Sequence, residues 1–280
     1  MRIRRREKSF SLTEVLLAMA TLSVGMLFIA GVFPVAIHYS TIATERTIAA
    51  AAADEAFAKV RLYLAGDETD PNAALDPAAV PGGSMSAIED LGRTTLPFAA
   101  VSRMEPSEFS YPSTEEEDLS AKKYFWSALC RRVGPLEEDR LIQVTVFVCR
   151  RPSPNIVYYA PDADADVGDA GYGEIDWNNP DNYERPVPVR IAVSAVAGVP
   201  SELLIDDLAE ASLVNDGCTI LDDDTGRPYR VRERYRGDQA RIVRIDPDWQ
   251  GNPTDIWLVA PPAEGGRNPC IAVYQKVLRL

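Results

Sequence analysis

RIRRREKSFSLTEVLLAMATLSVGMLFIAGVFPVAI, Arg2 to Ile37, sets a basic cluster directly against a long apolar run and places one acid, Glu14, near the start of that run. From Val15 to Ile37 there are 23 consecutive residues without a charge. As a helix this stretch is about 35 Å long, enough to cross a bilayer. A cleaved secretory signal has a shorter apolar core, about 7–15 residues, ending in a small-residue cleavage site. The segment therefore reads as a transmembrane helix over about residues 12–37. Arg2, Arg4, Arg5, Arg6 and Lys8, against Glu7 alone, predict a cytoplasmic N-terminus and place everything after about Tyr39 outside the cytoplasm.

Glu14 is costly in such a helix, since an ionisable group in apolar surroundings is stable only with a partner. A local reading is available, because the helix macrodipole favours negative charge in the first turn. A second reading comes from the residues around it. SFSLTEVLLAMATLSVGMLFIAG, with its basic leader, resembles the N-terminal processing and assembly segment of the type IV pilin and pseudopilin superfamily. The run LSVGMLFIAGVFP is similar in texture to the minor-pilin branch. The resemblance implies that a prepilin peptidase removes a nine-residue leader between Ser9 and Phe10, that the new amine of Phe10 is methylated, and that Glu14 is an assembly residue. One residue departs from the pattern: the position before the cut is usually Gly, and here it is Ser9. The resemblance further implies that Glu14 meets the α-amine of Phe10 on a neighbouring subunit and sets axial register. Its implied partners are prepilin peptidase, other pilin or pseudopilin subunits, an inner-membrane assembly platform and membrane lipid.

The chain has 280 residues and a net charge of −13, so nucleic acid is excluded as a natural partner. Loss of Met1 to Ser9 removes five positive charges and one negative, taking −13 to −17. Beyond the membrane span the helical signal continues through HYSTIATERTIAAAAADEAFAKVRLYLAG, which is rich in Ala and has no Pro or Gly before Gly66. Ile42, Ile48, Ala49, Ala52, Ala56, Val60 and Leu64 recur at helical spacing, with Glu45, Arg46, Asp54 and Lys59 largely elsewhere. One helix from Phe10 to Ala65 follows, with Pro34 as its expected kink.

Between Asp67 and Met104, Pro, Gly and Asp punctuation predicts loop. YFWSALCRRV (Tyr124 to Val133) and LIQVTVFVCRR (Leu141 to Arg151) then form a hairpin about the turn GPLEEDR. If Val133 stands opposite Leu141, Cys130 faces Val144 and Cys149 faces Phe125, too far apart along the strands for a Cys130–Cys149 disulfide. VPVRIAVSAVAGV (Val187 to Val199) adds a strand to the same sheet, which packs on the helix. CTILDDDTGRPYRVRERYRG, QARIVRID, TDIWLVAPP and CIAVYQKVLRL predict a separate small antiparallel sheet or barrel. The expected fold class is α+β: leader 1–9, long helix 10–65, a pilin-like head over 66–199 and a C-terminal β-rich subdomain over 200–280.

Three features of that region bear on chemistry. Arg230, Arg232, Arg234 and Arg236 share strand parity, with Arg227, Arg241 and Arg244 nearby, and read as a solvated face or as a stripe for an acidic partner. Cys218 and Cys270 are left as an open disulfide pairing in an oxidising compartment, and no cysteine spacing suits zinc. Asp162, Asp164, Asp166, Asp169 and Glu174 resemble a calcium loop, although Val167 stands where an EF-hand has Gly and Glu174 comes one place late. These are candidate Ca2+ ligands, the other reading being an extended acidic loop.

Catalysis has little support. The one histidine, His38, sits beside Tyr39 at the membrane boundary, and there is no Gly-rich phosphate loop or nucleophile elbow. Two functions remain, a filament subunit without enzymatic activity and an uncleaved signal-anchored protein that binds calcium or another ligand outside the cytoplasm.

Overall fold

The computed structural model describes residues 11–65, 83–88, 104, 106–113, 119, 121–133, 141–159, 161, 173–177 and 185–279. The class is α+β: a long apolar N-terminal helix with antiparallel β-sheets, one of them a closed six-strand barrel. Helix α1 runs Leu12–Ala65 and continues through Pro34. The strands are β1 (Ser86–Ala87), β2 (Ser110–Tyr111), β3 (Tyr124–Arg132), β4 (Leu141–Arg150), β5 (Pro188–Ala195), β6 (Glu202–Ile205), β7 (Thr219–Asp222), β8 (Pro228–Arg234), β9 (Ile242–Asp246), β10 (Asp255–Val259) and β11 (Cys270–Arg279). A one-turn helix, α2 (Leu208–Ala211), is capped by the Asp207 carboxylate. Two units divide the chain, residues up to Thr47 and residues from Ile48 onward.

In the second unit the open sheet has the order β1-β3-β4-β11, with β2 also paired to β3. The β3–β4 register places Cys130 opposite Val144 and Phe125 opposite Cys149, as the sequence predicts. Every residue of β4 from Ile142 to Cys149 is buried. Alternation then gives the strand two faces that both need cover.

Even-numbered residues Trp126, Ala128, Cys130, Ile142, Val144, Val146 and Val148 join one core with Ala49, Ala52, Ala53, Ala56, Phe57 and Val60 of α1. Those helix positions recur at three- and four-residue spacing, one face of the helix. Four of the six are alanines, small enough to bring the helix backbone close to the sheet. The rim is polar: Lys59 Nζ donates to the Glu108 carbonyl at 2.8 Å, and Lys276 Nζ meets Asp54 Oδ1 at 2.9 Å while lying 4.4 Å from the Phe57 ring centre.

Odd-numbered Leu129, Phe147 and Cys149 turn the other way and pack with Met85, Leu221, Trp257 and Val259. Leu221 and Trp257 belong to β7 and β10, so the cover on this face is a wall of the barrel. The barrel closes in the order β10-β5-β6-β9-β8-β7. Val189, Ile191, Val193, Leu203, Ile205, Ile220, Val231, Val243, Ile245, Ile256 and Leu258 fill its interior.

Two strands change sheets relative to the sequence reading. β5 belongs to the barrel, where Ile191 pairs with Ile256, and β11 leaves the C-terminal group to pair with β4 along nine positions. Burial explains both. From Val189 to Ser194 β5 alternates between buried and half-buried residues, which suits a barrel wall, whereas β11 is half-buried or exposed throughout, which suits a sheet edge.

The barrel is latched to the sheet by the turn after β7. Asp223 Oδ1 accepts the Trp257 indole N–H at 2.6 Å and the Met85 amide at 3.0 Å. The Gly226 carbonyl accepts from Gln275 Nε2 at 2.6 Å and Gln143 Nε2 at 3.2 Å, and Arg131 Nη1 donates to the Asp224 carbonyl at 2.7 Å. Gly226 has φ +64, and a Cβ there would lie 2.7 Å from Gln143 Nε2 and 3.2 Å from Met85 Sδ. Both backbone and space demand glycine. Gly226→Ala is expected to destabilise the second unit by about 1–3 kcal/mol, read as a lower urea midpoint at unchanged m-value.

Candidate functional site

Ser11 precedes the first helical residue and Glu14 follows three places later, the spacing of a capping box. Glu14 Oε2 accepts the Ser11 amide at 3.1 Å, and Ser11 Oγ accepts the Thr13 amide at 3.3 Å. Glu14 thereby satisfies a donor that the helix cannot, and its charge faces the positive end of the macrodipole. The side chain is exposed, and a carboxylate can accept about four hydrogen bonds, so it retains capacity for another partner. Ser9 and Phe10 lie outside the described residues.

From Leu12 to Thr41 every residue of the helix is exposed, with Leu27 75 % and Phe28 69 % accessible. An apolar surface of that extent is stable only under lipid or a partner. Three of its hydroxyls bond back onto the helix: Thr21 Oγ1 donates to the Leu17 carbonyl at 3.1 Å, Ser23 Oγ to Met19 at 2.8 Å and Thr41 Oγ1 to Ile37 at 3.0 Å. Such back-bonding suits polar residues in hydrocarbon. The helix is long and apolar enough to cross a membrane, with mean hydropathy 2.3 over its most apolar window. A Cβ at Gly25 or Gly31 would meet nothing within 4 Å, so packing within this helix requires neither glycine. His38 and Tyr39 stand together, with ring centres 6.0 Å apart.

The arginine stripe is shorter than its parity suggests. Arg230 and Arg232 are exposed on β8 while Tyr229 and Val231 point inward, but a bulge between Val231 and Glu233 breaks the alternation and the strand ends at Arg234. Arg236 lies beyond it, before a single 3-10 turn at Gly237–Gln239. Arg232 is paired with Asp246, Arg234 Nη1 donates to the Ala211 carbonyl at 2.8 Å, and Arg241 Nη1 donates to the Asp206 carbonyl at 2.7 Å. Arg227 lies 5.5 Å from the Tyr229 ring centre. Three of these arginines are thus engaged on the barrel itself, one by a carboxylate and two by backbone carbonyls.

Of the candidate calcium ligands, Asp162, Asp164, Asp166 and Asp169 lie outside the described residues. Glu174 is described, and its carboxylate stands 3.8 Å from Arg190 Nη2. Among the described residues, no three His, Cys, Asp or Glu side chains are grouped to hold a metal. No disulfide joins the four cysteines in this structure. Cys270 stands directly opposite Cys149, while Cys218 lies in the barrel core. Sequence reading missed the Cys149–Cys270 neighbourhood because it assigned β11 to the other sheet.

No family model, curated protein or solved structure matches the chain. Its site is therefore read from its own chemistry.

An acidic group at one end of the barrel adds a pH response. Burial pushes the Glu210 carboxyl from its ordinary 4.5 up to about 7, and Asp207, Glu174, Asp206 and Asp255 add to the shift. A raised carboxyl binds more protons folded than unfolded between those values, so its contribution to stability falls as pH rises from 4.5 to about 7. Glu210→Gln removes this dependence. The melting temperature of the variant is expected to exceed wild type progressively across that interval, and thermal scans at stepped pH measure it.

Proposed function

We propose that this protein is a membrane-anchored structural subunit, a minor pilin or pseudopilin, of a type IV pilus or type II secretion-like filament. The observation that carries the reading is one helix with three successive chemistries: a capped acidic entrance at Ser11–Glu14, an uncovered apolar stretch, and an alanine face packed on an antiparallel sheet. The resemblance of SFSLTEVLLAMATLSVGMLFIAG to the prepilin segment gives each a role. A prepilin peptidase cuts between Ser9 and Phe10, and the Phe10 amine is methylated. The apolar stretch anchors the chain in the bacterial inner membrane with its N-terminus on the cytoplasmic side. The later part of the helix carries the sheet and barrel, a pilin-like head in this reading, outside the cytoplasm. An assembly platform then transfers the subunit from lipid to a filament of similar helices.

Glu14 works twice in this scheme. In the lone subunit it caps its own helix, and in the filament its spare hydrogen-bonding capacity meets the Phe10 amine of a neighbour. An unpaired charge in apolar surroundings costs several kcal/mol, so the pair forbids other axial registers. The local cap also favours the rival reading, an uncleaved signal anchor with an extracytoplasmic binding role, because there Glu14 needs no partner outside its own chain.

Two substitutions separate the roles. Glutamine still serves in a capping box but carries no charge. Glu14→Gln and Glu14→Ala are both expected to insert in the membrane, and neither to enter filaments co-purified with the other subunits. Assembly of Glu14→Gln at wild-type level would leave Glu14 as a cap alone. Intact-mass analysis of protein from its native membrane is expected to give a chain beginning at Phe10, heavier by one methyl, about 14 Da. A chain still beginning at Met1 or Arg2 would establish the uncleaved anchor instead.

A further inference from the structure

The barrel is an insertion. Its strands, β5 to β10, all fall in the chain between β4 and β11, which are neighbours in the open sheet. The chain leaves that sheet at Arg150 and returns at Pro269, and these two residues face each other, with the Arg150 amide donating to the Pro269 carbonyl at 2.8 Å. The next facing pair inward is Cys149 and Cys270.

Hydrogen-bonded and non-hydrogen-bonded pairs alternate along an antiparallel ladder. Arg150 and Pro269 form a hydrogen-bonded position, from which Pro269 can return no donor, so Cys149 and Cys270 occupy the non-hydrogen-bonded position next to it, just outside a bulge that shifts the register between Cys270 and Ala272. The Cys270 amide accordingly turns to Asn268 Oδ1, at 2.8 Å, instead of to β4. In a regular ladder the Cα atoms at such a position are about 4.5 Å apart and the side chains are at their closest, inside the range of about 4.4–6.8 Å that a disulfide spans. Both side chains point to the same face, since Cys149 belongs to the core between sheet and barrel and Cys270 packs against it.

The other thiols are placed differently. Cys130 points to the opposite face of the sheet, toward α1, and Cys218 lies among the residues that fill the barrel. Cys149 is fully buried, while Cys270 is partly open to solvent at the edge strand. Accessibility therefore sets an order, with Cys270 as the thiol that a carrier reaches and Cys149 as the one that resolves.

We propose that Cys149 and Cys270 are a disulfide site that staples the two ends of the inserted barrel together at its junction with the sheet. The oxidant is a disulfide-bearing dithiol carrier of the extracytoplasmic space, so the proposal rests on the exported location argued above. The Cys270 thiolate attacks one sulfur of the carrier disulfide and expels the other as a thiolate. Cys149, deprotonated in turn, attacks the Cys270 sulfur of the mixed disulfide and releases the carrier's second thiol. Two protein thiols lose two protons and two electrons, and the carrier leaves as a dithiol. The closed loop contains the entire barrel, and a closure of that length restricts the unfolded chain strongly. Burial of Cys149 between sheet and barrel would then protect the bond from reduction.

The test is differential alkylation with peptide mapping of the full-length chain, acid-quenched in its native membranes, and again after equilibration in detergent with oxidised glutathione. The expected result in both is a Cys149 peptide linked to a Cys270 peptide, lighter than the two thiol peptides by about 2 Da, with Cys130 and Cys218 free. Linkage of Cys270 to Cys218, or thiols at both 149 and 270 under both conditions, overturns the proposal. A bridge formed with glutathione but absent from native membranes supports the site and overturns the exported location. Stability supplies an independent readout: a reductant is expected to lower the melting temperature of wild type by on the order of 5–10 °C and to leave Cys270→Ser unmoved. Equal shifts in both proteins, or none in wild type, would overturn the staple.

Discussion

Everything in the second unit depends on a strand that is buried on both faces. β4 has no solvent side between Ile142 and Cys149, and each parity of its side chains has recruited a different cover. The even residues meet the alanine face of α1, and the odd residues meet the β7–β10 wall of the barrel. Fully burying a large apolar side chain is worth about 1.5–3 kcal/mol. A strand that presents them on both sides holds three layers together more firmly than any surface ion pair. The polar residues admitted to the barrel face, Gln143 and Thr145, are satisfied through Gly226, Arg131 and Gln275, so the latch costs no unpaired group at those positions.

The long helix solves two separate problems with one backbone. From Ile48 onward its contact side is mostly alanine, which gains little from burial but permits close approach to the sheet, with Phe57 and Val60 at its C-terminal end. Toward the N-terminus the side chains are large, apolar and uncovered, and their hydroxyl-bearing neighbours bond back onto the helix. Helix propensity alone does not distinguish these stretches. Side-chain volume does, and it changes from Leu, Met and Phe to Ala near the division between the units.

Much of this was legible because period-two and helical spacing are direct consequences of backbone geometry. The β3–β4 register is the one that follows once Val133 is set opposite Leu141 across GPLEEDR, because every later pair is then fixed by the ladder. Sheet membership could not be read that way. The sequence of β5 says that it is a strand with one dry face, not which sheet supplies the dryness, and the same holds for β11. Chain order suggested that neighbours in sequence pair together, and an insertion breaks that expectation. The arginine parity failed for a local reason, a bulge that no residue between Val231 and Glu233 announces. At the helix entrance, Ser11 and Glu14 were visible as residues, but their hydrogen bond made the local role of Glu14 concrete.

The distance along the chain between β4 and β11 also orders the assembly of the molecule. The β3–β4 hairpin closes a loop of eight residues, Val133 to Arg140, and β7–β8 and β8–β9 are comparably local. The β4–β11 pairing must instead wait for more than a hundred residues to be brought round, and the entropy of closing a loop grows with its length. High contact order slows folding. Until β11 arrives, β4 presents an unpaired edge composed largely of Val, Phe and Cys, a template for strand addition from another chain. The barrel wall covers one face of that strand, and only β11 closes its edge.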